Sequence, residues 1–245
     1  MALLEEILKA KREEVEGLKV SGERKKGFYR LKDSFKEDEV NIIAEIKQSS
    51  PSAGFISKID LDGVLDIYNR YAKGISVLTD RKFFGGSFEL LQSVAERTEL
   101  PVLCKEFIID KKQIDMAYVC GADLVLLIVR ILDDELLKEL YGYASDLSLD
   151  VLVEVHSKDE LERVKGLKPA ILGVNSRDLD TLEISLERAK RILDSVDFEC
   201  LRIVESGIKT KSDIEFLKDS CDGFLIGETL LKSGDVEAKF KELVL

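Results

Sequence analysis

The sequence is poor in several residue types that common classes of enzyme need. It has one histidine, no tryptophan and three prolines among 245 residues. With His156 alone, a Ser-His-Asp triad or a histidine-rich metal site cannot be central. Acid–base chemistry must then fall on lysine and glutamate, whose pKa values would be shifted by burial and by neighbouring charges. For His156 itself we expect a packing or surface role.

Long apolar runs and paired cysteine motifs are also missing. No apolar stretch approaches the ~18 residues that span a bilayer, and the N-terminal segment carries acidic residues inside its apolar pattern, unlike a signal peptide. The four cysteines form no CxxC pair, and three lie in or beside apolar runs, which is typical of buried thiols in a reducing compartment. We therefore expect a cytoplasmic protein with no membrane partner.

The charge balance is acidic, with 37 Lys and Arg against 48 Asp and Glu and a net charge of −11. This argues against binding to nucleic acid or to an anionic membrane surface. It does not exclude a small anionic substrate, because the local field of a cleft can oppose the net charge of the whole protein.

The apolar pattern alternates between strand-like and helix-like segments after an N-terminal amphipathic helix at Leu3–Leu18. Eight short apolar runs, each followed by a helical pattern, predict a (β/α)8 TIM barrel over residues 41–245. Residues 1–40 form a helical extension of the same single domain. A doubly wound open sheet is the main alternative, and the count of eight and the lack of a GxGxxG after the first strand disfavour it. The predicted strands lie near Asn41–Lys47, Ile75–Thr79, Val102–Lys105, Leu124–Ile128, Val151–Val155, Ile171–Asn175, Arg202–Glu205 and Gly223–Ile226.

Charged and polar residues fall near the C-terminal ends of several of these strands. A buried charge is costly unless it serves a purpose, so their recurrence predicts one active site at the C-terminal mouth of the barrel. Glu45 and Lys47 are two residues apart and point to the same side of a strand; a structural ion pair is the alternative. Lys105 is expected to be a desolvated proton donor. Glu154, between valines, is expected to have a raised pKa.

Small residues at the ends of the last two strands suggest a phosphate site. Gly207 follows VES and Gly227 precedes Glu228, and backbone N–H groups at such positions can bind phosphate. Glu228 would offer its backbone, since its carboxylate would repel phosphate. A larger side chain at Gly227 is expected mainly to raise KM. Ser50 and Ser52 lie in a polar loop after the first strand.

Six motifs occur in order along the chain, namely AEIKQSSPSAG, LCKEFIID, LVEVH, GVNSRDL, VESGI and IGETLL. Together with the N-terminal helix, they resemble the indole-3-glycerol phosphate synthase family of tryptophan biosynthesis. The resemblance implies closure of an indole ring on 1-(2-carboxyphenylamino)-1-deoxyribulose 5-phosphate, with release of CO2 and water and without a cofactor or metal. One departure is Gln48-Ser49, where many relatives carry a further basic residue.

The resemblance also implies roles for individual residues. Lys105 would be the general acid at the ribulose carbonyl, and Glu154 would assist loss of the hydroxyl group. Glu45 and Lys47 match the pair on the first strand, and Lys47 would contact anionic groups of the substrate. The remaining matches are Asn175, Glu205 and Ser206 as catalytic residues that orient the sugar and ring; Gly207, Gly227 and Glu228 at the phosphate; Phe84 and Phe107 around the ring; Arg177 either at the carboxylate or as a brace of the loop after the sixth strand; and Ser50 and Ser52 as further substrate contacts.

Two other classes of function are the alternatives. Another phosphate-sugar barrel, such as phosphoribosylanthranilate isomerase or the tryptophan synthase α-subunit, is disfavoured by the set Lys105, Glu154 and Glu45 and by the N-terminal extension. A non-catalytic scaffold is disfavoured because Lys105 and Glu154 are both present. The sequence carries no signal of oligomeric state, and we expect a monomer.

Overall fold

Eight parallel β-strands close into a barrel and confirm the predicted fold class. The computed structural model of the chain describes residues 3–47, 49–50, 54–55 and 60–244. Each predicted strand lies within one residue of its observed position at either end. The strands are β1 (Ile42–Ile46), β2 (Gly74–Leu78), β3 (Val102–Lys105), β4 (Leu124–Ile128), β5 (Asp150–Val155), β6 (Ile171–Asn175), β7 (Leu201–Glu205) and β8 (Gly223–Ile226).

Each strand pairs with the next one along the chain, and β1 pairs with both β2 and β8 to close the barrel. All of these pairings are parallel, so the eight C-terminal strand ends share one mouth. Strands such as β1, β2, β4 and β6 are buried along their whole length because they face both the barrel interior and the helices. This explains their continuous Val, Ile and Leu runs.

Helices surround the barrel, and side-chain caps define where most of them begin. Asp60, Ser87, Asp133 and Ser157 each accept a hydrogen bond from a backbone N–H in the first turn of the helix that follows. The longer helices are α1 (Leu3–Gly17), α2 (Leu61–Tyr71), α3 (Phe88–Ala95), α4 (Lys111–Val119), α5 (Asp134–Asp146), α6 (Lys158–Val164), α7 (Leu186–Leu193), α8 (Lys211–Leu217) and α9 (Val236–Val244). In the part of the chain that the structure describes, none of them is long and apolar enough to cross a membrane.

Four short elements were not predicted. They are the helices Leu31–Ser34, Arg81–Phe84 and Glu228–Leu231 and the 3₁₀ turn Val129–Ile131. A two-residue antiparallel ladder also joins Ser49–Ser50 to Gly54–Phe55 in the loop after β1. Each is shorter than the periodic window from which a helix or strand can be recognised in a sequence.

The apolar core has two parts. The larger part lies between the barrel and its helices, and the smaller part fills the barrel interior with side chains such as Ile43, Leu103, Leu152 and Ile203. Ile7 of α1 packs against this interior cluster, and so does Leu31 of the short helix at 31–34. The N-terminal extension therefore contributes directly to the packing of the barrel.

A buried carboxylate holds the segment between α1 and β1 to the barrel. Asp123, which is fully buried just before β4, forms ion pairs with Arg24 at 2.7 Å and Lys26 at 2.6 Å. Its Oδ atoms also accept hydrogen bonds from the backbone N–H groups of Tyr29 and Val102. The segment between α1 and β1 thus has a defined attachment, made by residues far apart in sequence.

Candidate active site

A cavity of about 580 Å³ lies at the C-terminal mouth of the barrel, where the sequence predicted a site. This volume suits a small substrate. Most of the predicted residues line it, and Glu205 lies buried beneath the lining. The predicted residues in the lining are Glu45, Lys47, Phe84, Lys105, Phe107, Glu154, Asn175, Arg177, Ser206, Gly207, Gly227 and Glu228.

Lys105 lies at the centre of three carboxylates at the end of β3. Its Nζ is in contact with Glu205, 3.7 Å from Glu154 and 4.0 Å from Glu45. The side chain of Lys105 is 15% exposed, whereas the three glutamates are nearly inaccessible. Burial alone would disfavour the ammonium, but the three carboxylates raise the pKa of Lys105 above its ordinary value. The site therefore holds a charged, partly accessible proton donor.

Glu45 and Lys47 form an ion pair of 2.5 Å at the end of β1, and both line the cavity. An ion pair is what a purely structural role predicts for these two residues. Their position at the mouth of the barrel is what a role in the active site predicts. Burial by itself would raise the pKa of Glu45, but Lys47 and Lys105 bring it below the ordinary value. Glu45 is thus held ionised between two ammonium groups.

The prediction that Glu154 has a raised pKa is wrong, and the raised group is Glu205. Burial would raise the pKa of Glu154, but Lys105 and His156 lower it below its ordinary value. Burial and the negative charge of Glu154 raise the pKa of Glu205, and Lys105 only partly opposes them. Glu154 and Glu205 interact directly, and two interacting carboxyl groups do not both ionise readily. Burial thus favours a single proton on the pair, and the cations beside Glu154 favour Glu205 as its holder.

The carboxyl group of Glu205 is accommodated by a glycine on the next strand. A Cβ built on Gly173 of β6 would lie 2.3 Å from Oε1 of Glu205. A larger residue at 173 would therefore push Glu205 away from Lys105. Glycine at this position was not singled out in the sequence, because a glycine in the middle of a strand has several possible causes.

The polar rim after β6 and β7 is built by short local hydrogen bonds. Oδ1 of Asn175 accepts a hydrogen bond from the backbone N–H of Arg177 at 3.0 Å, which turns the chain into the following loop. Ser206 has a φ of +66° and its carbonyl accepts a hydrogen bond from Oγ of Ser176. A positive φ in a non-glycine residue is uncommon and is found at functional turns.

The two predicted phosphate glycines have different structural requirements. Gly207 has a φ of +83°, and a Cβ there would lie 2.6 Å from Ile184. A Cβ on Gly227 would lie 2.4 Å from Oε1 of Glu45, so this glycine makes room for a carboxylate of the site. This clash changes the expected effect of substitution, because a larger residue at 227 would displace Glu45. The cavity wall here also includes Lys209 and Lys232, which the sequence analysis did not select.

One wall of the cavity is apolar. The rings of Phe84 and Phe107 in this wall lie 6.0 Å apart and are tilted by 36°. Leu3, Leu4 and Ile7 of α1 extend this wall. The N-terminal helix therefore supplies part of the cavity itself, a contribution that the sequence analysis did not assign.

A second buried charge cluster anchors α1 beside the site. Nζ of Lys11, whose side chain is 1% exposed, lies 2.7 Å from Asp80 and 3.1 Å from Glu106. Asp80 caps the short helix that ends at Phe84, and Glu106 follows Lys105. Lys11 lies four residues from Ile7 and from Val15, both buried, so the helical spacing placed it on the buried face of α1. That spacing was the signal available in the sequence.

His156 lies buried beside two carboxylates. Its side chain is fully buried, as a packing role would require, but Nε2 lies 3.1 Å from Oε1 of Glu154 and Nδ1 lies 3.4 Å from Glu160.

All four cysteines are free, and three of them are buried as expected. Two predicted contacts cannot be placed relative to the cavity: Ser52 lies outside the described residues, and only the backbone of Ser50 is described. Among the described residues, no group of three or more His, Cys, Asp and Glu side chains is arranged to hold a metal ion.

Comparison with known proteins gives one family. A profile of the family described as indole-3-glycerol phosphate synthase matches residues 4–243. The indole-3-glycerol phosphate synthase of Staphylococcus haemolyticus (strain JCSC1435) is 45% identical over 221 residues, covering 89% of this chain and 85% of that protein. The protein of the same name from Staphylococcus aureus (strain MRSA252) is 42% identical over 255 residues, covering 99% and 97%.

Solved structures at lower identity share the fold. A crystal structure of 3-hexulose-6-phosphate synthase matches with a TM-score of 0.66 and 17% identity, covering 83% of this chain and 98% of that one. A thiamine phosphate pyrophosphorylase from Pyrococcus furiosus matches with a TM-score of 0.61 and 16% identity, covering 87% and 96%. At these identities the likeness extends to the fold alone.

Proposed function

The chain belongs to the indole-3-glycerol phosphate synthase family, and we propose that Lys105 and the carboxyl groups around it carry out the ring closure of that reaction. The substrate is 1-(2-carboxyphenylamino)-1-deoxyribulose 5-phosphate, and the products are indole-3-glycerol phosphate, CO2 and water. The chain is accordingly a carboxy-lyase. The observation that carries the assignment of roles is the contact of one ammonium with Glu45, Glu154 and Glu205 at the base of the cavity.

Lys105 is the general acid of the first step. Its raised pKa keeps it charged at neutral pH, and in a poorly hydrated site its charge acts strongly on a nearby oxygen. As the aromatic carbon that bears the carboxylate attacks the ribulose carbonyl, the carbonyl oxygen becomes a strong base and takes the proton from Nζ. A hydroxyl group forms, and the free amine is recharged from solvent.

Decarboxylation follows from the new bond. The carboxylate leaves as CO2, and the electrons of the broken carbon–carbon bond return to the ring and restore its aromaticity. The apolar wall of Phe84 and Phe107 supports this step, because a carboxylate loses CO2 more readily where water is excluded. Arg177 and Lys47 are the proposed contacts of the carboxylate before it leaves.

The pair Glu154 and Glu205 serves the dehydration. It holds one proton between two carboxyl groups, so it can deliver a proton to the leaving hydroxyl and accept the one released from the carbon next to nitrogen. Protons balance in this step, since one is given and one is taken. Asn175 and Ser206, at the adjacent strand ends, are proposed to orient the sugar hydroxyl groups.

The phosphate is proposed to bind at the ends of β7 and β8. Gly207, Gly227 and Glu228 line this part of the cavity, their backbone N–H groups are the proposed phosphate contacts, and Lys209 in the same lining adds positive charge there. The carboxylate of Glu228 is paired with Lys232 at 2.8 Å, which reduces its repulsion of phosphate. Ser50 and Ser52 are retained as further contacts on the basis of the motif alone.

The domain organisation, the oligomeric state, the compartment and the partners are also proposals. We propose a cytoplasmic monomer of one domain, in which residues 1–40 pack on a barrel formed by residues 41–245. The contacts of Ile7 and Leu31 with the barrel interior support the single domain. The free cysteines suit a reducing compartment, and the net charge of −11 disfavours nucleic acid and anionic membranes as partners.

The function is tested by fluorescence assay of the purified chain with the carboxyphenylamino-deoxyribulose phosphate. Because the chain has no tryptophan, indole emission rises from a low background. We expect product and CO2 in equal amounts, with chelator present and no second protein. Folded protein that yields neither would contradict the proposal, and conversion of phosphoribosylanthranilate instead would identify an isomerase.

A further inference from the structure

A buried chain of alternating charges runs away from the cavity behind Glu154. Oε1 of Glu154 lies 3.1 Å from Nε2 of His156, whereas its Oε2 faces Lys105 at 3.7 Å. Nδ1 of His156 lies 3.4 Å from Glu160, and Glu160 accepts a hydrogen bond from Nε of Arg130 at 2.8 Å. Glu154 is thus held between two cationic side chains, one that lines the cavity and one behind it.

The position of the ring follows from the turn between β5 and α6. His156 is the first residue after β5, and its backbone N–H donates a hydrogen bond of 2.7 Å to Oε2 of Glu160 in the first turn of α6. Ser157 caps the same helix through the backbone N–H of Glu160. These local bonds place Glu160 on the far side of the imidazole from Glu154.

The surroundings of the ring favour its charged form. Both ring nitrogens face carboxylates, which only accept protons, and a neutral imidazole has one N–H to offer. Neither contact has the alignment of a hydrogen bond, so the carboxylates act on the ring through their charge. Burial would lower the pKa of His156, but Glu154 and Glu160 raise it to about 9. Both the contacts and the direction of this shift favour the imidazolium form at neutral pH.

Further charges face this group from each neighbouring element. Lys105 of β3 and Glu205 of β7 lie on the cavity side of Glu154. On the other side, Arg130 also lies 3.2 Å from Asp180 and 3.6 Å from Asp178, in the loop that follows β6. The charges alternate in sign from Lys105 to these aspartates, which stabilises the ionised form of each carboxylate between cations.

We propose that His156 is a positioning residue of the ring-closure reaction, a buried imidazolium that keeps Glu154 ionised and so places the proton of the carboxyl pair on Glu205. The inference rests on the proposed function. His156 does not line the cavity, and it acts on the substrate only through Glu154. Without the imidazolium, Glu154 and Glu205 would compete for the proton with Lys105 as their nearest cation.

The first experiment uses the fact that the chain has a single histidine. Its imidazole resonances can be assigned to His156 without mutagenesis, and ¹⁵N NMR reports its protonation directly. We expect the wild-type ring to stay charged through pH 8. In Glu154→Gln and Glu160→Gln, we expect the proton dissociation constant of the ring to rise at least tenfold. Glu162→Gln is the matched control, because Glu162 is exposed on the same helix.

The second experiment is the pH dependence of turnover in His156→Gln. Loss of the imidazolium should move the acid limb of the kcat profile to higher pH by about one unit, with KM changed less than twofold. Glu160→Gln, which leaves the ring in place, should shift the limb in the same direction by a smaller amount. Circular dichroism of both variants checks that they are folded.

Each outcome has a defined meaning. The proposal is overturned if the His156 ring is neutral at pH 7, or if its titration midpoint is the same in Glu154→Gln as in the wild type. A loss of kcat in His156→Gln that is equal at all pH values assigns the ring a packing role only and also overturns it. Absence of turnover in the wild-type protein contradicts the proposed function, while the NMR midpoints still decide whether His156 controls the charge of Glu154.

Discussion

The carboxylate of Glu45 occupies the space that a side chain at residue 227 would need. A Cβ on Gly227 would lie 2.4 Å from Oε1 and 2.9 Å from Cβ of Glu45. Glu45 in turn is the ion-pair partner of Lys47 and lies 4.0 Å from Lys105. The glycine at the end of β8 thus determines where a charged group at the end of β1 can lie.

Gly227→Ala should therefore lower kcat as well as raise KM. The methyl group would displace Glu45, and misplacement of a site group by about 1 Å can cost about 10²-fold in rate. Gly234→Ala is the control, because a Cβ at residue 234 meets nothing within 4 Å. Steady-state kinetics on both variants show whether kcat, KM or both have changed. A rise in KM with unchanged kcat would restore the simpler view that residue 227 only borders the phosphate.

Lys105→Met should lose about 10²- to 10⁴-fold in kcat, the usual contribution of a general acid. Methionine keeps the length of the side chain but cannot carry the proton. The three carboxyl groups around residue 105 lose one shared cation, but Glu45 keeps Lys47 and Glu154 keeps His156, and the proton of the pair Glu154 and Glu205 limits the resulting repulsion. The measurement is single-turnover kinetics together with thermal unfolding. Lys138→Met, at an exposed position on α5, should match the wild type in both. Turnover retained in Lys105→Met would remove this lysine from the acid role.

Glu205→Gln should lose less stability than the wild type as the pH rises, so the variant gains stability relative to the wild type towards alkaline pH. The pKa of Glu205 is raised in the folded protein, so between the ordinary carboxyl pKa and the raised one the folded state binds a proton that the unfolded state has released. The stability of the wild type therefore falls with pH across this window, by up to about 1.4 kcal/mol per pH unit. Glutamine is neutral throughout and removes this dependence.

Urea unfolding at intervals from pH 5 to pH 8 measures this difference. The variant and the wild type should be closest at the acid end and should diverge towards the alkaline end. Glu162→Gln serves as an exposed control on α6. A constant difference between Glu205→Gln and the wild type over the whole range would mean that the pair has already released its proton near pH 5 and that neither carboxyl group titrates in this window.

The barrel was largely predictable because its strands are nearly pure apolar runs. Runs such as Leu124–Ile128 and Ile171–Asn175 are buried on both faces, and a polar residue marks one boundary of each, Asp123 before the first run and Asn175 at the end of the second. Charges at the ends of such runs have few structural explanations, so Lys105 and Glu154 could be assigned to one site from the sequence. The parallel topology then brings those strand ends together without further information.

The electrostatic state of the site could not be predicted in the same way. The valines beside Glu154 suggested a raised pKa, but its actual neighbours come from other parts of the fold, Lys105 from β3 and Glu205 from β7. His156 lies two residues after Glu154 in the chain. Its effect nevertheless depends on the turn into α6, which brings Glu160 behind the ring. Sequence spacing identifies candidate groups, whereas their protonation depends on contacts between strands.

Lys11→Met should destabilise the protein by about 3–5 kcal/mol, the usual cost of leaving a buried carboxylate without its partner. Asp80 and Glu106 would lose the ammonium that lies 2.7 Å and 3.1 Å from them. Burial already raises the pKa of Glu106 with Lys11 present. Without Lys11 the pKa should rise further, so Glu106 would stay protonated at low pH and the loss of stability should grow as the pH increases.

The same substitution should raise KM, because α1 carries Leu3, Leu4 and Ile7 into the cavity wall and Lys11 is its buried anchor. Lys9→Met provides the matched control, since Lys9 is exposed on the same helix. Urea unfolding at pH 5.5 and pH 8, with KM measured at both, tests the two effects together. If Lys11→Met lost no more stability than Lys9→Met and kept the wild-type KM, the helix would be held by its apolar contacts alone. An increase in KM at pH 8 that recovers at pH 5.5 would show that the charge cluster, by anchoring α1, also shapes the site.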